Sequence, residues 1–314
     1  MSASVHTAPE LLGETPVTPA LGAEPRDWLL LLKPRVISLV VFTGAVGLVT
    51  APGHINPVLG AVAIFCIALG AGAAGALNMW YDRDIDALMK RTLARPIPAG
   101  KIEAGGALGY GIVLSIISVL LLAMATNLVA AGVLAFSIFY YAVIYTMWLK
   151  RRTPQNIVIG GGAGAFPAVI GAAAVTGHIT ALPVLLFAIV FFWTPPHFWS
   201  LSLFASIDYE KAGIPMLPVV KGAKHTRLNV LVYALLLLPL AVSPWPLGLT
   251  GPVYGLTALI SSLVFVYYCW GVYADKQDAK GVSLTKDKPA RAAFKYSILY
   301  LFILFLACAV DHLV

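Results

Sequence analysis

The chain has 314 residues, of which 60% are hydrophobic and only 11% charged, with a formal net charge of +7. An ordinary soluble domain is about a quarter charged, so this composition excludes a soluble fold. The positive excess collects beside apolar runs, where it reports membrane topology, and it assigns no nucleic-acid role.

Residues 1–27 are rich in Pro, Ala, Thr and Glu and contain no apolar run. They are expected to form a disordered cytoplasmic tail and are no cleavable signal. Glu10, Glu14 and Glu24 also argue against a mitochondrial transit peptide. Residues 28–314 are expected to form one transmembrane domain. Its apolar runs, each long enough to cross a hydrocarbon core of ~30 Å as helix, fall near 36–51, 57–79, 105–124, 128–148, 157–175, 181–203, 228–247, 252–273 and 292–311.

The loops between these runs alternate in charge. Loops 52–56, 125–127, 176–180 and 248–251 hold no Lys or Arg, so all 21 basic residues lie on the other side. Cytoplasmic loops accumulate such residues, which predicts a cytoplasmic N-terminus, an outer C-terminus and nine spans in a bacterial inner membrane. The fold class is therefore all-α: a polytopic membrane protein with nine transmembrane helices. Acid-bearing inner loops follow the second and sixth runs, and Asp208 stands 126 residues after Asp82. That spacing suggests two four-helix units in parallel orientation plus a ninth helix, around a central cavity. Cys66, Cys269 and Cys308 lie in apolar runs without metal-like spacing and read as small core residues.

The segment NMWYDRDID puts Asn78, Asp82 and Asp86 at i, i+4 and i+8, on one face if helical. Asp84 points elsewhere and is expected to pair with Arg83 or Lys90. Carboxylates cost about 2.5–3.5 kcal/mol each at a span centre, so two at a span end should line a wet cavity. Oxygen ligands of this kind suit Mg²⁺, held by one or two carboxylates together with phosphates and waters. The plainer alternative is two interfacial acids neutralised by Arg83, Lys90 and Arg91. Asp208 and Glu210 occupy the equivalent place after the sixth run, and opposed acidic sites can grip a diphosphate between them. Lys90, Arg91 and Arg95, with Lys150, Arg151 and Arg152 on the next inner loop, can neutralise that anion, or can simply mark the inner face.

These residues resemble the UbiA family of membrane prenyltransferases. Asn78, Asp82 and Asp86 fit its N-x3-D-x3-D motif, and Asp208 fits the start of its second acidic motif. LLKPRV from Leu31, LKRRTPQNIVIGG from Leu149, WTPPHFWSL from Trp193 and DYEKAGIPMLP from Asp208 are similar to the branch that acts on protohaem. The wider family has an acid at position 212, where this chain has Ala212, and the D-Y-x3-G-x-P-M form is that of the protohaem branch.

The resemblance implies transfer of a farnesyl group from farnesyl diphosphate to a vinyl group of protohaem, with addition of water. It implies catalytic roles for Asn78, Asp82, Asp86 and Asp208, with Mg²⁺ held by Asp82, Asp86 and Asp208. It implies substrate contact by Lys90, Arg91, Arg95, Lys150, Arg151, Tyr145, His197, Trp199 and Tyr209. The partners it implies are the lipid bilayer, the two substrates, and a haem A synthase or oxidase assembly machinery that receives product. His197 is expected either to touch haem or to pack through a hydrogen bond. A transporter, which would place its ligands near the bilayer midplane, and a prenyltransferase with another acceptor are the competing readings.

Overall fold

The computed structural model describes residues 22–278 and 281–313. Among the described residues the regular structure is helical, apart from one isolated bridge between Gln277 and Ser283. Helices α1 (Pro25–Leu31) and α2 (Pro34–Val49) are bent by 55° at Lys33, which adopts the left-handed conformation in front of Pro34. Next come α3 (Pro57–Tyr81), the short α4 (Arg83–Asp86) and α5 (Ala104–Ala125). Helix α6 (Leu128–Phe139) runs on into a π-helical segment, Tyr140–Leu149. The fifth span combines α7 (Asn156–Gly160), a 3-10 turn at Gly161–Gly164 and α8 (Phe166–Thr176). Helix α9 (Ala181–Phe204) is followed by the short α10 (Ser206–Lys211) and α11 (Leu217–Lys221), then α12 (Ala223–Val242), α13 (Pro252–Tyr273) and α14 (Lys288–Leu313).

Eight of these helical stretches are long and apolar enough to cross a membrane, and the bent pair α1–α2 makes a ninth. The protein is thus a multi-pass, all-helical membrane protein. The seventh span begins five residues earlier than the sequence suggested. Lys224, His225 and Arg227 fit its polar first turns, and the SPWP run from Ser243 ends it because proline cannot continue a helix. The tail expected over residues 1–27 lies outside the described residues as far as residue 21. Its last residues are helical and not tail: Pro25 opens α1, and Asp27 is buried and accepts a hydrogen bond from Lys101 Nζ at 2.9 Å.

Packing refines the expected division into four, four and one. Helices α2, α3, α5, α6 and α8 form one bundle that closes through α8 against α2, and α9, α12, α13 and α14 form another that closes through α14 against α9. The bundles meet where α8 touches α9 and α14 touches α2. Without a hydrophobic drive between helices in lipid, close approach depends on small residues. A Cβ on Gly171 would stand 2.0 Å from the Gly44 carbonyl oxygen, and one on Gly47 2.1 Å from that of Ala168, so α2 and α8 are in backbone contact. Gly171→Val is expected to lower the melting temperature of the solubilised protein by overpacking worth about 1–3 kcal/mol. Gly109→Val, with open space around it, is the control expected to melt like the parent.

Candidate active site

Helix α3 stops at Tyr81, but Asp82 accepts from the Asp86 N–H at 2.8 Å and donates its own N–H to the Asn78 carbonyl at 2.9 Å. The four-residue spacing therefore survives the break, and Asn78, Asp82 and Asp86 are buried, with 4%, 0% and 2% exposure. Buried charges must be paired, and each carboxylate has a cation. The Lys150 ammonium makes a short ion pair with Asp82, which also accepts from Asn78 Nδ2 at 2.8 Å and lies 3.5 Å from Arg151. Arg95 contacts Asp86 at 2.5 Å. The KRTLARPIPAGK loop makes this possible by coiling back on itself, since buried Thr92 donates its hydroxyl to the Asp86 carbonyl at 2.7 Å.

Two residues outside the sequence-derived set complete the cluster. Lys33 donates to Asn78 Oδ1 at 2.5 Å and lies over the Tyr141 ring, while buried Thr146 accepts from Asn78 Nδ2 at 3.1 Å. Lys33 stood in the LLKPRV segment but counted only as a topology charge. Thr146 carried a fainter signal, as the one aliphatic hydroxyl in the run YYAVIYTMW.

The π-helical segment explains how the fourth span reaches these partners. The Lys150 N–H bonds the Tyr145 carbonyl at 2.9 Å, five residues back. In that register residues five apart stack, and Tyr141, Thr146 and Arg151 meet Lys33, Asn78 and Asp82 in turn. Such π segments concentrate at functional sites. The Tyr145 ring lies tilted against Tyr141, with centroids 5.5 Å apart, and closes on Gly160, where a Cβ would fall 2.2 Å from its ring.

The pairing foreseen for Asp84 is corrected. Its partner is Arg151, which grips both oxygens at 2.7 Å and lies over Tyr81, whereas Arg83 turns back to the Trp80 carbonyl and Lys90 is exposed. Arg151 holds the Asp84 carboxyl below its ordinary pKa.

On the other side of the site, α10 carries half-buried Asp208, whose carboxylate has no hydrogen-bond or ion-pair partner among the described residues. Its neighbour Tyr209 is buried, which pushes the phenol pKa up against the opposing effect of Arg91 and Arg95, and its hydroxyl lies 3.5 Å from Arg91. Ile85, Met89, Tyr209, Ile214 and Met216 belong to one hydrophobic core, and the Arg91–Tyr209 contact bridges the two acidic loops. Among the described residues no three His, Cys, Asp or Glu side chains stand together as a ready metal cluster. Asp82 and Asp86 are instead drawn onto Lys150 and Arg95.

His197 and Trp199 lie in the packing of the second bundle. His197 stacks between Trp193 and Phe294, with Nδ1 2.6 Å from Ser297 Oγ. Trp199 is fully buried edge-to-face against Tyr233.

Buried carboxylates at one end of a multi-span bundle, matched by lysines and arginines and walled by aromatic rings, define a membrane-embedded enzyme for a substrate with an anionic head and an apolar body. Residues 39–299 match the UbiA prenyltransferase family, and the chain belongs to that family of membrane prenyltransferases. It is 68% identical over 294 residues to a protein of Acidiphilium cryptum named protoheme IX farnesyltransferase, covering 94% of this chain and 93% of the relative. A protein of the same name from Granulibacter bethesdensis is 68% identical over 292 residues, covering 93% and 92%. A structure of digeranylgeranylglyceryl phosphate synthase superposes with a TM-score of 0.74 at 19% identity, over 91% of this chain and 98% of that one. A UbiA homologue from Archaeoglobus fulgidus, described as bound to DMAPP and Mg²⁺, gives 0.65 at 16% identity, over 90% and 99%. At such identities the structures speak for the fold alone.

Proposed function

We propose that this protein transfers the farnesyl group of farnesyl diphosphate to a vinyl group of protohaem, with addition of water, giving haem O and diphosphate. The observation that carries the reading is the 68% identity, across almost the whole chain, to a relative named for that reaction. The bond from the allylic carbon to the diphosphate oxygen breaks, and a carbon–carbon bond forms to the terminal vinyl carbon. The oxygen of water adds to the inner vinyl carbon as a proton leaves.

Asp82, Asp86 and Asp208 fit Mg²⁺ by the chemistry of the donor set: oxygen ligands only, with the Asp208 carboxylate paired to no cation among the described residues. Bound there, the metal would supply Lewis-acid stabilisation of the departing diphosphate. The chain's own residues do the rest. Lys150, Arg95, Arg91 and Arg151 place positive charge where negative charge develops. Tyr141 and Tyr145 offer aromatic faces to the allylic cation, and the surrounding apolar helices keep water from it until the carbon–carbon bond has formed. The one-sided Lys and Arg pattern supports a cytoplasmic site and N-terminus, an outer C-terminus and a bacterial inner-membrane address. A haem A synthase or oxidase assembly machinery is the proposed recipient of the product.

The test is turnover of purified protein with farnesyl diphosphate and protohaem, with and without Mg²⁺, reading the porphyrin by mass. A farnesylated, hydrated porphyrin formed only with the metal is the expected product. Diphosphate release with unchanged protohaem would reassign the acceptor. For His197, the Ser297 hydrogen bond and the two stacked rings favour packing over haem contact. His197→Ala is expected to lower the melting temperature by a few degrees, reflecting about 1–3 kcal/mol from the stranded partner and lost stacking. The KM for protohaem should stay at the parent value; a rise confined to that KM would restore haem contact.

A further inference from the structure

We infer that Lys150 and Arg95 are built-in stand-ins for the divalent cation, so that metal enters this site only together with a diphosphate, which draws both side chains off the carboxylates. The inference rests on the metal–diphosphate reading above and adds an order of binding to it.

Charge balance carries the first step. Asp82 and Asp86 are buried and already neutralised, one by the Lys150 ammonium and one by the Arg95 guanidinium. Lys33 is bound to the neutral amide of Asn78 and so adds no carboxylate that could offset a metal ion. A lone divalent cation would have to displace Lys150 and Arg95, leaving both without a counter-ion close to a metal of like charge. A diphosphate arriving with the metal removes that obstacle, because its oxygens accept both displaced side chains and offset the added charge.

Geometry identifies which cations are free to move. Arg151 is clamped, with two bonds to Asp84, a third to the Tyr81 carbonyl at 3.1 Å and its guanidinium over the Tyr81 ring. Lys150 has no such clamp. It is a point charge on a flexible stem, and its ammonium makes a single hydrogen bond among the described residues, to Asp82. Among the described residues the Arg95 guanidinium likewise hydrogen-bonds Asp86 alone, and its side chain is 23% exposed, so it has room to turn. The π register brings Lys150 onto Asp82 by fixing its backbone to Tyr145, while the side chain keeps its freedom. Asp208, with no cation paired to it among the described residues, is a carboxylate left open for the incoming complex.

The test is Mn²⁺ binding by electron paramagnetic resonance, on the full chain in phosphatidylcholine nanodiscs, with and without inorganic diphosphate. The parent protein should bind Mn²⁺ alone weakly, and about tenfold or more tightly when diphosphate is present, a coupling that must be reciprocal. Lys150→Met should tighten binding of Mn²⁺ alone by a similar factor and shrink the diphosphate effect. Arg152→Met, which removes an exposed charge from the same loop, should change neither. Equal Mn²⁺ affinity with and without diphosphate in the parent overturns the inference whatever the variants do, as does a Lys150→Met protein that binds Mn²⁺ alone no tighter. Absence of Mn²⁺ binding under every condition would overturn the metal–diphosphate reading itself, and the inference with it.

Discussion

Asp208→Ala is expected to abolish farnesyl transfer while leaving the protein as stable as its parent, and Asp82→Ala to abolish it at some cost in stability. The expected loss of turnover is roughly three orders of magnitude in each case, the scale of removing a main electrostatic stabiliser of a transition state. The stability contrast follows from the partners. The Asp208 carboxylate makes no hydrogen bond or ion pair among the described residues, so its truncation strands nothing. Asp82 anchors Lys150, Asn78 and one contact of Arg151. Stranding a buried charge costs about 3–5 kcal/mol, but the Lys150 side chain keeps 15% of its surface exposed and can swing toward water, so the loss should fall short of that. Turnover of purified variants, with melting temperature recorded beside it, separates the two effects. Near-normal turnover in either variant would remove that carboxylate from the reaction.

How far such a site can be seen in a sequence depends on whether the physics is local. The spans were legible because hydrophobic length and the one-sided Lys and Arg pattern are properties of short segments, as was the shared face of Asn78, Asp82 and Asp86, which needs only helical spacing. What could not be read were pairings between distant segments. Asp84 had two near cations and chose Arg151, because the turn at Asp82 faces it toward the next inner loop. The carboxylates expected to converge are held by Lys150, 68 residues from Asp82, and by Arg95, nine from Asp86. The π-helical register was equally hidden, since no local propensity distinguishes Tyr140–Leu149 from an α-helix. Yet that register decides that Thr146 meets Asn78. Lys33 had the opposite problem: its sequence context was conspicuous, but a basic residue at a span end has an adequate explanation in topology alone.

Arg227 is the extreme case of a charge that topology seemed to explain, and replacing it should cause the largest loss of stability among the basic residues. Its side chain is 1% exposed in the first turns of α12. Nη1 donates to the Gly281 carbonyl at 2.9 Å, and Nη2 lies 3.3 Å from Asp287 and 3.6 Å from Asp275. Asp275 is buried and also accepts the hydroxyls of Ser283 and Thr285, each at 2.7 Å. The guanidinium thus fastens the loop between α13 and α14 onto α12, and without it Asp275 and Asp287 lose the cation that pairs both of them among the described residues. Arg227→Met should cost about 3–5 kcal/mol, read as a lower melting temperature and as faster proteolysis within residues 276–286. Arg227→Lys should recover little, because a single ammonium cannot reproduce a planar fork serving three acceptors. Asp287→Asn should cost less, since the Asp287 side chain is 22% exposed and Asp275 keeps its cation. Turnover at a temperature where the variant stays folded should be near normal, because Arg227 touches none of the residues around Asp82 or Asp208. An Arg227→Met protein as stable as the parent would mean that Ser283 and Thr285 alone hold the loop, and would return Arg227 to the role its sequence position suggested.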